Sequence, residues 1–213
     1  MMIIYLMYIA NLLIVLGFIG YFLSIIFSNK KISKSDGFNI TKDILNEYDS
    51  INIIENKSIF TIYNIKRKVI KIASKCYYGN GVSDIAIPLM EAGISIADNR
   101  KNKFITFFSK IISNLKYLYI FPICAVFFNV FASSIGDAKI GLLFTGICII
   151  ISYILINIKS EGISLISNKI KKVVSKEDNI LIINFLNKIM LFDKFIFIGE
   201  LIMVIRFVSI ILF

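Results

Sequence analysis

Long uncharged apolar runs alternate with short, charged, patterned stretches, and the runs set the architecture. Residues 3 to 27 contain no charge and are followed at once by NKKISK. A bilayer-spanning helix needs roughly 20 apolar residues, so this run predicts a transmembrane helix. A cleaved secretory signal carries positive charge before its apolar region and a small-residue cleavage site after it. Here the charge comes after, and the reading is an uncleaved anchor over residues 1–27 with its N-terminus outside. Two further runs, Tyr117 to Ile135 and Ile140 to Ile158, are separated only by GDAK, which predicts an antiparallel transmembrane hairpin over 117–158. A fourth, Phe195 to Phe213, contains Glu200 and Arg206, each worth about 2.5–3.5 kcal/mol against insertion near a helix centre. Their spacing puts them on different faces, so each is expected against other helices or a polar cavity. An interfacial helix over 195–213 is the alternative.

Between the first two runs, residues 28–116 form a stretch long enough for a small domain that needs the neighbouring helices to complete its core. TKDILNEY opens with a capping type, Thr41, and carries Ile44, Leu45 and Tyr48 at helical spacing, predicting a helix over 41–48. SINIIE reads as extended, and IFTIYNIKRKVIKIAS reads as two strands joined by a turn over 64–67, giving a small antiparallel sheet. After the glycine-rich YYGNGVSD, the segment IAIPLMEAGISIADN predicts a helix capped by Ser83 or Asp84 and weakened by Pro88. KNKFITFFSKIISNLK then sets Phe104, Ile105, Phe107, Phe108, Ile111, Ile112 and Leu115 against Lys101, Lys103, Lys110 and Lys116. That pattern predicts an amphipathic helix resting in the membrane interface.

Composition agrees with the pattern: 57% of residues are hydrophobic and the mean hydropathy is +0.80, against roughly 45–50% apolar residues in soluble domains. The formal charge of +10 invites a nucleic-acid reading, but the placement of the charge removes it. Of 24 Lys and Arg residues, 15 lie in residues 28–116 and seven in 159–194. Both segments fall on the side that the positive-inside rule makes cytoplasmic. The basic residues therefore face the lipid bilayer and its anionic head groups, and no nucleic-acid partner is expected. Heavy use of Ile, Lys, Asn and Phe fits an AT-rich bacterial genome, and the expected location is a bacterial cell membrane. The chain has no histidine, so the commonest metal ligand and general base are both missing. Cys76, Cys124 and Cys148 are too far apart for a C-x-x-C site.

The order of parts, and above all YNIKRKVIKIASKCYYGNGVSDIAIPLMEAGISIAD from Tyr63 to Asp98, resembles the bacterial YugP-like family of membrane zinc metallopeptidases. The likeness covers the family's hairpin, double-tyrosine loop and H-E-x-G-H helix without a gap, and extends more weakly over nearly the whole chain. It implies a zincin-like α+β cytoplasmic domain on about four transmembrane helices. In the family, two histidines one turn apart hold zinc and the intervening glutamate activates the metal-bound water. Carried over by position, the histidines become Met90 and Ile94, while Glu91 and Gly93 are retained. The family's third ligand, a glutamate just beyond the hairpin, corresponds to Glu161 in NIKSEGIS. A thioether is a soft donor suited to Cu(I) and isoleucine offers no donor, so no cofactor is expected where the family holds zinc.

These implications define the expectation. The domains are an anchor (1–27), a cytoplasmic degenerate peptidase-like domain ending in the amphipathic helix (28–116), the hairpin (117–158), a cytoplasmic basic helical segment (159–194) and a C-terminal apolar helix (195–213). The leading functional reading is a pseudopeptidase that binds a peptide, a membrane-protein substrate or an intact paralogue, with the sheet edge beside the Glu91 helix as the place for strand addition. Two alternatives stand beside it: an active metallopeptidase with altered ligands, completed by another subunit's histidines, and a membrane scaffold of unrelated ancestry.

Overall fold

The first apolar run is one uninterrupted helix, α1 (Met2–Phe27), in a computed structural model that describes residues 2–28, 30–32, 35–48, 50–58, 60–99, 120–132 and 134–212. The later runs form α5 (Ile120–Phe131), α6 (Ile135–Val173) and α7 (Lys176–Leu212). Helices α1, α6 and α7 are long and apolar enough to cross a membrane. The described part of the second expected span, α5, has 12 residues. Residues 117–119 and the amphipathic helix expected over 101–116 lie outside the described residues.

The hairpin link differs from the expectation. GDAK lies inside the first turns of α6, which already begins at Ile135. The reason is a reciprocal cap: the Asp137 N–H donates to Ser134 Oγ (3.1 Å), and Ser134 N–H donates to Asp137 Oδ2 (3.2 Å). This is a capping box, which starts a helix wherever it falls. At the other end, neither Lys159 nor Glu161 stops α6. At 39 residues it is roughly 58 Å long, well beyond a hydrocarbon core of about 30 Å.

The chain divides into two compact units. The first comprises Met1–Phe22, Lys116–Ile156 and Leu191–Phe213. Its buried cluster includes Ala10, Ile14, Ala125, Cys148, Met203 and Phe207. Small residues bring α1 and α7 together: a Cβ on Gly199 would lie 2.8 Å from the Ala10 carbonyl oxygen, and one on Gly17 would lie 2.9 Å from that of Phe192. Close backbone approach at small residues is the usual basis of helix association in bilayers. Glu200 and Arg206 are buried here, as expected from their cost at a lipid-facing position, with 0% and 6% exposure.

The second unit comprises Leu23–Leu115 and Asn157–Met190. It contains α2 (Gly37–Leu45), β1 (Asn52–Asn56), β2 (Ile62–Asn64), β3 (Val69–Ala73), α3 (Ser74–Tyr78) and α4 (Val82–Asn99), with the C-terminal part of α6 and the N-terminal part of α7. Helix α2 starts four residues before the expected Thr41. Its cap is Asp36, which accepts from Asn39 N–H at 2.8 Å, and Thr41 is buried, donating to the Gly37 carbonyl at 2.6 Å. The sheet order is β1-β3-β2. β2 and β3 are antiparallel across the expected turn, whereas β1 pairs parallel to β3, so the sheet is mixed rather than antiparallel. Alternation of side chains tells which face a strand buries and not which neighbour it takes. Lys68 in the turn has φ 51°, a left-handed conformation uncommon outside glycine.

The YYGNGVSD loop is tied to the chain that follows α1: Ile32 N–H donates to the Asn80 carbonyl (2.8 Å) and Gly37 N–H to that of Gly79 (2.9 Å). Helix α4 begins at Val82, with Gly81 before it accepting from Ile85 N–H. Ser83 and Asp84 therefore sit inside the helix and are not its cap residue. Asp84 still serves that end, because its carboxylate accepts from Gly81 N–H at 3.3 Å. The helix runs through Pro88 to Asn99. Proline removes one donor and leaves the Asp84 carbonyl without its usual partner. Gly37 packs at that point, where a Cβ would lie 2.6 Å from the Asp84 oxygen.

Candidate functional site

Met90, Glu91, Gly93 and Ile94 occupy one and a half turns of α4. Met90 and Ile94 share a face at i,i+4 and are buried, at 5% and 9% exposure. They behave as core residues. Glu91 is half-buried and points to the sheet, where its Oε2 accepts from the Tyr63 backbone N–H at 2.8 Å. β2 is an edge strand, and this N–H lies on the side away from β3. The carboxylate thus supplies an acceptor that no neighbouring strand provides.

Seven residues further on, Asp98 repeats the connection two turns along the same face. It accepts from the Tyr63 hydroxyl at 2.9 Å and pairs with Lys68. Burial, with help from Asp98, raises the Tyr63 phenol well above its ordinary value. One tyrosine therefore fixes α4 to the hairpin through its backbone and its side chain together. Sequence reasoning missed Asp98. The i,i+7 spacing of Glu91 and Asp98 opposite an edge-strand tyrosine was the signal available.

Glu161 belongs to α6, and the backbone brings it to the same part of α4. Gly93 and Gly162 cross in direct contact: a Cβ on Gly93 would lie 2.2 Å from the Gly162 carbonyl oxygen, and one on Gly162 would lie 3.2 Å from Ile94 Cγ1. Glu161 precedes that glycine and is half-buried. Lys159, one turn before Gly162, is buried at 6% exposure and acts on Glu91 electrostatically. The four positions expected from the zinc-peptidase likeness are therefore neighbours in the fold, on two crossed helices.

Their chemistry does not suit zinc. Catalytic zinc takes three nitrogen, oxygen or thiolate ligands and leaves one position open. Met90 and Ile94 give none of these, one Glu91 oxygen is engaged by Tyr63, and a lysine side chain contributes a competing positive charge. Among the described residues, no three His, Cys, Asp or Glu side chains converge on one point.

Burial pushes the Glu91 carboxyl up from 4.5 to about 7, with the Tyr63 N–H and Lys159 opposing the shift. A carboxyl raised in the folded state binds more protons there than in the unfolded chain, so its contribution favours folding at low pH and is lost as pH climbs between about 4.5 and about 7. Each unit is worth 1.36 kcal/mol, so the loss approaches about 3 kcal/mol. Glu91→Gln keeps an acceptor for Tyr63 and removes the titration. Melting temperatures from pH 5 to 8 are expected to fall in the parent and stay flatter in Glu91→Gln, the variant becoming the more stable at the alkaline end. Parallel curves would contradict this.

What the arrangement can do is hold a helix to a sheet edge. β2, the edge beside α4, already has its Tyr63 N–H occupied, so a peptide adding there must displace Glu91. The opposite edge strand, β1, exposes Asn52, Ile54 and Glu55. No protein-family model, no curated protein and no solved structure matches this chain.

Proposed function

We propose that the chain is a multi-pass bacterial membrane protein of YugP-like zinc-metallopeptidase descent that has lost catalysis and acts by binding. Its orientation follows the charge: N-terminus outside, with residues 28–116 and 159–194 on the cytoplasmic side and four membrane passages in all. The observation that carries the loss of catalysis is the Glu91 hydrogen bond to Tyr63 N–H. In the ancestral role a glutamate here takes a proton from metal-bound water. In this chain the same carboxylate stitches α4 to β2, flanked by two buried hydrophobic side chains.

The binding partner is an extended peptide, a membrane-protein substrate or an intact paralogue, taken up along β1, because backbone pairing at a sheet edge needs no catalytic group. Casein cleavage by the purified full chain tests the reading. No cleavage that is sensitive to both chelator and Glu91→Gln is expected. Activity abolished by each of these treatments would establish an active metallopeptidase with altered ligands in its place.

A further inference from the structure

The first compact unit contains an acid that the binding reading does not use. Glu200 on α7 is fully buried, with 0% exposure. Ser152 on α6 donates to its Oε1 at 3.1 Å, and its Oε2 has no hydrogen-bond partner. Among the described residues no Lys or Arg pairs with it. Arg206, six residues further along α7, is engaged elsewhere: its Nη1 donates to the Asn129 carbonyl and to Asn129 Oδ1 (2.8 Å), and its Nη2 to the Ala132 carbonyl (3.4 Å). Asn129 is in turn fixed by donating to Asn11 Oδ1 at 2.8 Å. The guanidinium therefore serves the α1–α5 side of the unit and does not neutralise Glu200.

Other titratable groups are no better placed. α1 carries no Asp, Glu, Lys or Arg, and its Tyr5 and Tyr8 are exposed. α5 contributes only Cys124. On α6, Cys148 lies within electrostatic range of Glu200, Tyr153 is exposed and packs near Phe197, and Asp137 and Lys139 belong to the first turns, roughly 20 Å along the axis from Ser152. On α7, Asp193 and Lys194 lie about two turns earlier, roughly 10 Å away, and on α6 Lys159 lies about two turns past Ser152 and acts on Glu91. An ionised carboxylate with one bare oxygen and no counter-charge in such a setting is unfavourable, and buried acids of this kind become neutral instead.

We propose that Glu200 is a proton-binding site within the helical membrane unit, its neutral carboxyl held by Ser152. When the proton is bound, Oε1–H donates to Ser152 Oγ, reversing the bond, and Oε2 remains as a carbonyl oxygen, which tolerates lack of a partner better than a carboxylate does. This site is independent of the Glu91 region and of the binding reading above.

The test is labelling of the full chain in phosphatidylcholine vesicles with N,N′-dicyclohexylcarbodiimide, mapped by mass spectrometry. A neutral acid adds across the N=C=N group: its proton goes to one nitrogen and its oxygen bonds the central carbon, and the acyl group then migrates to nitrogen. Nothing leaves and nothing is oxidised. At mildly acidic pH, label on Glu200 is expected to exceed that on exposed Glu177 by about tenfold, because the apolar reagent meets a neutral acid only at the buried site. Sodium is expected to leave it unchanged, and alkaline pH to diminish it. Absence of label on Glu200, label that arises only in Arg206→Met, or protection by sodium would each overturn the proposal, the last two by making Arg206 or a metal cation the true counter-charge.

Discussion

Gly93→Ala is expected to destabilise the second compact unit by about 3 kcal/mol, the top of the usual range for overpacking. The added methyl would lie 2.2, 2.5 and 2.8 Å from the Gly162 O, C and Cα atoms. All three are backbone atoms of a helix, so no side chain can swing aside. Either α4 and α6 separate, losing the packing of Ile94 against Gly162, or α4 shifts and strains the Glu91 and Asp98 connections to Tyr63. Gly162→Ala meets only 3.0 to 3.2 Å contacts, one of them the Ile94 side chain, and is expected to cost distinctly less. Gly146→Ala, with nothing within 4 Å of its Cβ, is expected to stay within about 0.5 kcal/mol of the parent. Thermal unfolding of the three variants in detergent measures the order. A Gly93→Ala variant as stable as Gly146→Ala would refute the helix crossing.

The helix crossing gives Gly93 a physical reason. The apolar runs were legible because crossing a hydrocarbon layer takes a long, mostly apolar helix, and α1, α6 and α7 are long and apolar enough to do so. Their ends were not. Lys159 and Glu161 end the apolar run, but neither residue type interrupts a helix, so α6 continues to Val173. The start of α6 follows the Ser134 and Asp137 cap instead of the more conspicuous GDAK. Likewise Asp36 outcompetes Thr41 because a cap is chosen by the backbone that leads into the helix, and Thr41, four residues in, bonds backward to Gly37. The β2–β3 hairpin was legible from its polar turn, while the partner of β1 was not.

The helix that carries Met90, Glu91 and Ile94 was legible in the sequence, and what its side chains touch was not. Spacing alone put Met90, Glu91 and Ile94 on adjoining faces of one helix turn. Spacing cannot report that Glu91 serves an edge strand, that Asp98 repeats the contact, or that Gly162 sets the crossing beside Glu161. Those relations join residues far apart in sequence, and hydrophobic periodicity carries no information about them.

The proposed descent places two histidines where this chain has Met90 and Ile94. Met90→His together with Ile94→His places two nitrogen donors one turn apart on α4, on the face where Met90 and Ile94 are now buried. The crossing at Gly93 and Gly162 brings the Glu161 segment of α6 beside that turn, and the proposed descent makes Glu161 the third of the three ligands that catalytic zinc takes. Zinc per chain is therefore the most direct measurement, made on protein purified without a tag, with folding confirmed by thermal unfolding. The parent is expected to carry no stoichiometric zinc, the double variant close to one zinc per chain, and the double variant with Glu161→Gln markedly less. A folded double variant that binds no zinc, or a parent that already holds one per chain, would contradict the account.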